Sequence, residues 1–306
     1  ADKRLWPETS HERGETMIDT TRTGIAIMVL ALAIFAIQDG ISRHLAGTYN
    51  VWMVVMIRYW VFAAFVLMLA LRRGGIKKAA QTNQPWLQIS RGLLLALEVC
   101  VGILAFTLIG LIETIVIFSA FPLIVAALSG PMLGEAVGWR RWVAIFVGFI
   151  GILVILQPGY GVFAPAALLA LLSSVMFAVY SLLTRLVARQ DSAETSIFYT
   201  GVFGALITTA IGIWFIEPMS PSDMLWMGTL SLTSLVGHAL LIKAYTLAEA
   251  SALAPFNFLH MVFVTGIGIT IFGEVLEMNV VIGSIIIVGA GLFTIFRSKR
   301  ANQEPL

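Results

Sequence analysis

Long apolar stretches recur along the whole chain and constrain its fold more than any other feature. A helix rises about 1.5 Å per residue, so stretches of about 20 residues cross a hydrocarbon core that is roughly 30 Å thick. Lipid offers backbone polar groups no partner, which makes helices the natural form of such stretches. With only 12% charged residues, the chain lacks the surface of a water-soluble domain. We therefore predict an all-α polytopic membrane protein.

Ten such stretches give ten predicted transmembrane helices. The third and eighth are the least regular, because Arg91, Glu98 and Lys243 interrupt them. The connections are short, which leaves no room for a soluble catalytic domain. The ten spans are 24–46, 50–71, 87–108, 112–133, 139–157, 163–187, 195–216, 223–246, 250–272 and 278–296.

Lys and Arg residues are distributed unevenly between the two sides of this arrangement. Cytoplasmic loops collect these residues, so their positions predict the orientation. The connections after the odd-numbered spans hold none, whereas the termini and the regions after the even-numbered spans hold most of them. We therefore expect both termini to be cytoplasmic in a multi-pass protein of a bacterial inner (plasma) membrane. The polar first 22 residues lack the apolar core of a signal peptide.

Two parts of the sequence occur twice. The segment from Phe35 to Arg43 resembles the segment from Phe177 to Arg185, 142 positions later. A Gly-Glu pair at residues 134–135 recurs at residues 273–274, 139 positions later, and each pair precedes a glycine-containing apolar helix. Similar offsets at two places indicate the duplication of a unit of five helices.

A five-helix unit is odd, so its second copy enters the membrane from the opposite side. Inverted repeats of this kind are typical of secondary transporters, in which the two halves exchange conformations and open a central site to each side in turn. An inert duplicated scaffold is the alternative. The predicted parts are a polar cytoplasmic tail (1–23), two five-helix repeats (24–157 and 158–296) and a basic cytoplasmic tail (297–306).

Taken together, the ten spans, the cytoplasmic termini and the paired Gly-Glu signals resemble the drug/metabolite transporter superfamily in its EamA-type branch. Within that branch the chain is similar to the YddG-like exporters of aromatic amino acids. The resemblance implies a central cavity lined by spans 1, 3, 4, 6, 8 and 9 and gated by spans 2 and 7. It also implies that spans 5 and 10 are peripheral.

Several charged residues lie inside the predicted spans. Inserting one charged side chain at the membrane centre costs about 2.5–3.5 kcal/mol, so each such residue is expected to have a structural or functional role. Glu98 and Arg58 lie nearest the middle. Glu98 either attracts a substrate ammonium group or a proton, or forms a structural pair with Arg58 or Arg91. Arg91 and Lys243 lie near the cytoplasmic ends of their helices, where snorkelling to the interface is the simpler interpretation. A gating role, or for Lys243 a contact with a substrate carboxylate, is the alternative.

Further candidates for the cavity lining are polar or aromatic residues within apolar helices. Gln38 and Asp39 occupy the same repeat position as Tyr180 and Ser181, which suggests that both sets point to the interface between the halves. Asn257 and His260 share a helix face. His260 and His238 either carry protons or form interhelical hydrogen bonds. Phe118 and Phe121, with Ser119 between them, either stack on an apolar ring or pack against other helices.

We therefore predict a secondary transporter that exports small metabolites by alternating access, with aromatic or neutral amino acids as the first choice of substrate. A carrier of another solute, such as an organic cation or a sugar derivative, is the main alternative. An intramembrane lipid-modifying enzyme is the third hypothesis, although the sequence carries no Walker or recognisable hydrolase motif. We expect no cofactor, no metal, no nucleic-acid partner and no catalytic residue, and a monomer with its own central pathway suffices.

Overall fold

A computed structural model of the chain describes residues 10–134, 138–156, 166–248 and 253–301. These parts are helical apart from short turns. The Glu135 of the first Gly-Glu pair and the start of the ninth predicted span fall outside them.

Twelve α-helices form the described part of the chain. The helices that correspond to the first three spans are α1 (Ser10–Ala46), α2 (Val51–Arg72) and α4 (Pro85–Ile109), with the short α3 (Ile76–Ala79) between the last two. The fourth span is divided into α5 (Leu111–Phe118) and α6 (Phe121–Leu133). The remaining helices are α7 (Trp139–Leu156), α8 (Ala167–Val187), α9 (Ala193–Gly212), α10 (Pro221–Leu247), α11 (Phe258–Phe272) and α12 (Met278–Ala301). A 3₁₀ turn, Ala254–Asn257, precedes α11.

Within the described residues, nine helical stretches are long and apolar enough to cross a membrane. The apolar part of α12, Met278–Thr294, is shorter than these nine. The first helix differs from our prediction, because it begins at Ser10 within the predicted polar tail. A helix that is already nucleated extends at one hydrogen bond per residue, so it need not end at the membrane surface.

Contacts between turns show which helix ends share a face of the bundle. At one face, the ends of α1 and α11 meet the turn between α4 and α5, where Arg43 and Glu274 form an ion pair. At the other face, Thr82, which follows α3, donates to Asp191, which follows α8. Desolvation of the Asp191 carboxylate is outweighed by hydrogen bonds from Thr82, Gln88 and the Asn83 backbone, so its pKa lies below the ordinary value.

The helix contacts recur in pairs that are related by a shift of five spans. The contact of α1 with α10 corresponds to that of α8 with α4, and the contact of α1 with α11 corresponds to that of α8 with α5 and α6. The contacts of α2 with α9 and of α7 with α12 each join two helices that are themselves five spans apart, so the shift returns the same pair. Within the described residues, the helices of the first five spans and those of the second five therefore pack in a similar way.

Helices α7 and α12 cross closely at glycines. A Cβ atom added at Gly151 would lie 3.0 Å from the Gly283 carbonyl oxygen, and one added at Gly283 would lie 2.7 Å from the Gly151 carbonyl oxygen. Gly148 and Gly291 are also in close contact with side chains of neighbouring helices. Gly289, in contrast, has nothing within 4 Å of its added Cβ and lies on the exposed face of α12.

Substituting alanine at two glycines of α12, Gly283 and Gly289, separates packing from helix propensity. We expect Gly283→Ala to lower the melting temperature of the purified protein in detergent, because overpacking of this kind costs about 1–3 kcal/mol. The matched Gly289→Ala variant should leave the melting temperature unchanged or slightly raised, since alanine favours helix. Equal melting temperatures for the two variants would contradict the close crossing.

Candidate functional site

Charged and polar side chains from several helices converge in the middle of the bundle. Asp39 on α1 faces His260 on α11, and the Asp39 Oδ2 to His260 Nε2 distance is 3.1 Å. This is ion-pair distance, although the two groups are not aligned as a hydrogen bond. Arg58 on α2 interacts electrostatically with Asp39 and Glu98. Its Nε donates to the Ser234 hydroxyl of α10 at 3.3 Å.

Glu98 on α4 is buried, with 7% of its surface exposed. The Ser173 hydroxyl of α8 donates to its Oε1 at 2.7 Å, and Arg58 is the nearby opposite charge. A buried carboxylate needs such partners, because desolvation without them is costly. Of the two partners that we considered for Glu98, Arg58 therefore lies within electrostatic reach.

Arg91 is held elsewhere, near the start of α4. It is 2% exposed and donates to the Tyr180 hydroxyl at 3.2 Å, to the Thr184 hydroxyl at 3.3 Å and to the Gln88 side chain at 3.0 Å. It also donates to the Ser196 carbonyl oxygen of α9. Our snorkelling interpretation is wrong for Arg91, because the protein itself supplies the acceptors that water would otherwise supply. These bonds join α4 to α8 and α9.

The fourth span breaks at the level of the aromatic candidates. Pro122 has no N–H to donate to the Phe118 carbonyl oxygen four residues earlier, and the helix is interrupted between α5 and α6. The Ser174 hydroxyl of α8 donates to that carbonyl oxygen at 3.3 Å instead. Discontinuous helices of this kind are tolerated where the freed backbone groups lie inside protein or line a cavity.

Four aromatic rings lie in contact beside this break. Phe118 and Phe121 are 5.4 Å apart between ring centroids, and Phe177 of α8 lies 5.3 Å from the first and 4.9 Å from the second. Phe177 in turn lies 5.8 Å from Tyr180. All four are only partly buried, so the cluster keeps some accessible ring surface. The structure thus extends the predicted Phe118 and Phe121 pair to α8.

His238 on α10 lies between two further rings. Its ring centroid is 5.1 Å from that of Phe35 on α1 and 6.5 Å from that of Phe62 on α2. Its Nδ1 lies 2.8 Å from the Ser234 carbonyl oxygen one turn earlier. The side chain is exposed in accessible area although protein atoms surround it, which is typical of a residue that lines a cleft. Arg58 is near enough to interact with its charge.

The remaining predicted residues are placed less centrally or bond within their own helix. Gln38 is buried, and its Oε1 accepts no hydrogen bond from the part of the chain that the structure describes. Ser119 and Ser181 donate to backbone carbonyl oxygens of their own helical segments. Asn257 lies half-buried in the 3₁₀ turn before α11, and Lys243 is exposed near the end of α10.

Sequence reasoning missed several residues that the structure brings to this region. Ser173 and Ser234 are the hydroxyl partners of Glu98 and Arg58. Phe35 and Phe177 are the first residues of the two repeated segments, so the sequence shows that they are equivalent. It does not show their ring partners, which lie on other helices. The spacing of Ser173 and Phe177 along the same face of α8 as the predicted Tyr180 is the signal that could have identified these two residues.

Comparison with known proteins gives a consistent result. The model of the EamA-like transporter family matches residues 22–157 and again residues 164–296. The S-adenosylmethionine uptake transporter of Rickettsia prowazekii (strain Madrid E) is 26% identical over 284 residues, covering 93% of this chain and 96% of the relative. The riboflavin transporter of Vibrio cholerae is 27% identical over 292 residues, with 92% and 96% covered. The pseudopaline exporter CntI of Pseudomonas aeruginosa is 24% identical over 277 residues, with 90% and 96% covered.

A solved crystal structure shares the fold, with a TM-score of 0.60 and 18% identity, and the match covers 92% of this chain and 98% of the other. The predicted EamA-type membership is confirmed, whereas the narrower likeness to aromatic amino-acid exporters stays a prediction, since these relatives are named for other solutes. This chain belongs to the EamA-like transporter family and is a multi-pass membrane transporter rather than an enzyme.

Proposed function

We propose that this transporter carries a small zwitterionic metabolite with an amino-acid group across a bacterial inner membrane by alternating access. Amino acids and amino-acid derivatives such as S-adenosylmethionine are the candidate substrates. The observation that carries the proposal is the presence of opposite charges at the middle of the bundle, where Arg58 interacts electrostatically with Asp39 and Glu98. Export, which we predicted from the family resemblance, is retained as the direction.

Charge complementarity supports a zwitterion. In a site with little water, Arg58 offers a planar set of donors that suits a carboxylate. Asp39 or Glu98 offers an acceptor for an ammonium group, and a negative charge that attracts a sulfonium group. A solute that carries both charges offers an opposite charge to Arg58 and to one of the carboxylates at the same time. A solute with a single charge leaves the other partner buried and unmatched, which is costly.

The aromatic cluster supports a planar or apolar group at the other end of the solute. Phe118, Phe121 and Phe177 present ring edges and faces beside the break in the fourth span. Offset and edge-to-face contacts with a substrate ring contribute about 0.5–1.5 kcal/mol each beyond burial. An adenine ring or a phenylalanine side chain fits this chemistry, in line with the names of the relatives and with our predicted substrates respectively.

Ten spans in two inverted halves complete the proposal. The two matches to the family model, residues 22–157 and 164–296, support the predicted repeats 24–157 and 158–296. The paired helix contacts support an inverted relation between them. With α12 as the tenth span, both termini lie on one side, which we propose is the cytoplasm because Lys and Arg collect there.

A carrier of organic cations is the second candidate. Two carboxylates, Asp39 and Glu98, lie near one guanidinium, so the site has an excess of negative charge unless His260 or His238 is protonated. A monovalent cation would use that excess. The substrate assay below separates the two candidates.

Counterflow in liposomes tests the substrate class. We expect labelled S-adenosylmethionine and labelled phenylalanine to exchange saturably with unlabelled solute inside, because both carry an amino-acid group. Riboflavin, which lacks that group, and tetraphenylphosphonium should exchange slowly. Exchange of the cation alone would favour the second candidate, and flux that does not saturate would indicate a channel.

Removing one charge tests the site. We expect Glu98→Gln to lower the initial rate of counterflow about 10- to 100-fold, since a charged hydrogen-bond partner is worth about 1.5–3 kcal/mol. The amide still accepts from Ser173, so the melting temperature should change little. Glu113→Gln, on the first turn of α5, is the matched control and should retain the rate. A full rate in Glu98→Gln would exclude this carboxylate from substrate binding.

Cysteine labelling tests the orientation. In a Cys100→Ala background, we expect a membrane-impermeant maleimide to label Thr48→Cys and Val275→Cys in intact cells. Lys77→Cys should react only after the membrane is opened. All three native side chains are exposed in the structure, so access is not limited by burial. Labelling of Lys77→Cys from the same side as Thr48→Cys would contradict the proposed topology.

A further inference from the structure

The Glu274 carboxylate, just after α11, is bound by three groups on two other helices. Its two oxygens accept the first two backbone N–H groups of α5, from Leu111 at 2.8 Å and from Ile112 at 2.9 Å. Arg43, near the end of α1, forms an ion pair with it. The helix N-terminus and the guanidinium both favour negative charge, so this carboxylate is strongly held.

The protein leaves a close-fitting space for this carboxylate. A Cβ atom at Gly110 would lie 2.7 Å from Glu274 Oε1, and one at Gly268 would lie 2.8 Å from Oε2. Gly110 also has a φ of +89°, which side-chain-bearing residues rarely adopt. Two glycines from different helices therefore define the position of a single carboxylate. A helix cap alone needs one acceptor and no such enclosure.

The contact closes a seam that runs from the middle of the bundle to one face. Deep in the bundle, α1 and α11 meet at Asp39 and His260. One position further along α1, a Cβ atom at Gly40 would lie 3.0 Å from Ile267 of α11. At the face, the Arg43 guanidinium lies 4.2 Å from the Phe272 ring centroid and pairs with Glu274. In the proposed halves, Arg43 and Leu111 belong to the first and Glu274 to the second.

We propose that Glu274, bound by Arg43 and by the N-terminus of α5, is the latch that closes the transport path on the face opposite the N-terminus. The proposal rests on the proposed function in one respect, since a latch has meaning only if the two halves separate on that face. Opening that face pulls α11 away from α1 and α5 and breaks all three contacts of one side chain together. In this structure the latch is engaged.

The strength of the contact suits a reversible latch. A hydrogen-bonded charge pair biases a two-state equilibrium by about tenfold to a hundredfold, which favours one state without excluding the other. Backbone donors also stay in place when the carboxylate leaves, because they belong to the first turn of α5. The latch can therefore close again without refolding.

Distance measurements between spin labels test the proposal in the full-length protein. Labels at Thr48→Cys and Val275→Cys report the separation of the first and second halves at this face, in a Cys100→Ala background that remains folded. We expect one dominant short distance in this parent. Glu274→Gln should raise the ratio of the long-distance to the short-distance population about tenfold, because the amide keeps one acceptor but loses the ion pair. Arg43→Gln should shift it in the same direction.

Three controls distinguish a latch from a structural contact. Glu277→Gln removes an exposed carboxylate three residues away and should leave the distances unchanged. The double variant Arg43→Gln with Glu274→Gln should shift them no further than either single variant, since both remove the same contact. If Glu274→Gln does not yield folded protein, Glu274→Asp, which keeps the charge with a shorter reach, should give an intermediate shift.

A lower melting temperature with unchanged distances in Glu274→Gln would overturn the proposal, because the contact would then be structural only. The distances are measured without solute, so they do not depend on the substrate assignment. Shifted distances in a protein that exchanges none of the tested solutes would reject the substrate class and keep the latch.

Discussion

A charged side chain inside a membrane protein must find its partner within the protein, and the described part of this structure is organised around that requirement. Arg91 is almost fully buried because hydroxyl, amide and carbonyl oxygens of three helices replace water. Glu274 combines an ion pair with two backbone donors. Each of these groups joins helices that are distant in sequence, so the polar contacts help to determine which helices meet. Apolar packing alone is less selective.

The strength of pairing differs between the faces and the middle. Arg91 and Glu274, near opposite faces, have several short contacts each. Arg58 and Glu98, near the middle, have one hydroxyl partner each and interact with each other at longer range. A charged group that has few hydrogen bonds within the protein loses fewer existing contacts when it binds an added polar partner. The middle of the bundle is therefore the region best suited to exchange internal contacts for contacts with a solute.

The local sequence pattern predicted most of the helices. The features that it did not predict depend on contacts between helices that are distant in sequence. Hydropathy located most helix ends to within a few residues because lipid imposes a length on each span, although α1 begins at Ser10, well before its predicted span. It did not show that the fourth span breaks, although Pro122 was visible, since a proline either kinks a helix or divides it according to its neighbours. The candidate residues Asp39, Glu98 and His260 were identified because charge is rare in apolar helices. Arg58 was considered as a partner of Glu98, but the pairing of Asp39 with His260 and the Ser173 hydroxyl bonded to Glu98 were not predicted, since these contacts join helices that are distant in sequence.

The two polar regions make different demands on the solute. The contact at Glu274 uses backbone N–H groups and one arginine, and Gly110 and Gly268 lie close against its carboxylate oxygens. None of these groups belongs to the proposed solute site, so the contact need not change when the substrate changes. At the middle, the aromatic rings and the charges of Asp39, Arg58 and Glu98 are side chains on separate helices, so each can change without disturbing the others' backbone. A family whose members are named for S-adenosylmethionine, riboflavin and pseudopaline is compatible with this division between a solute-independent closure and a variable centre.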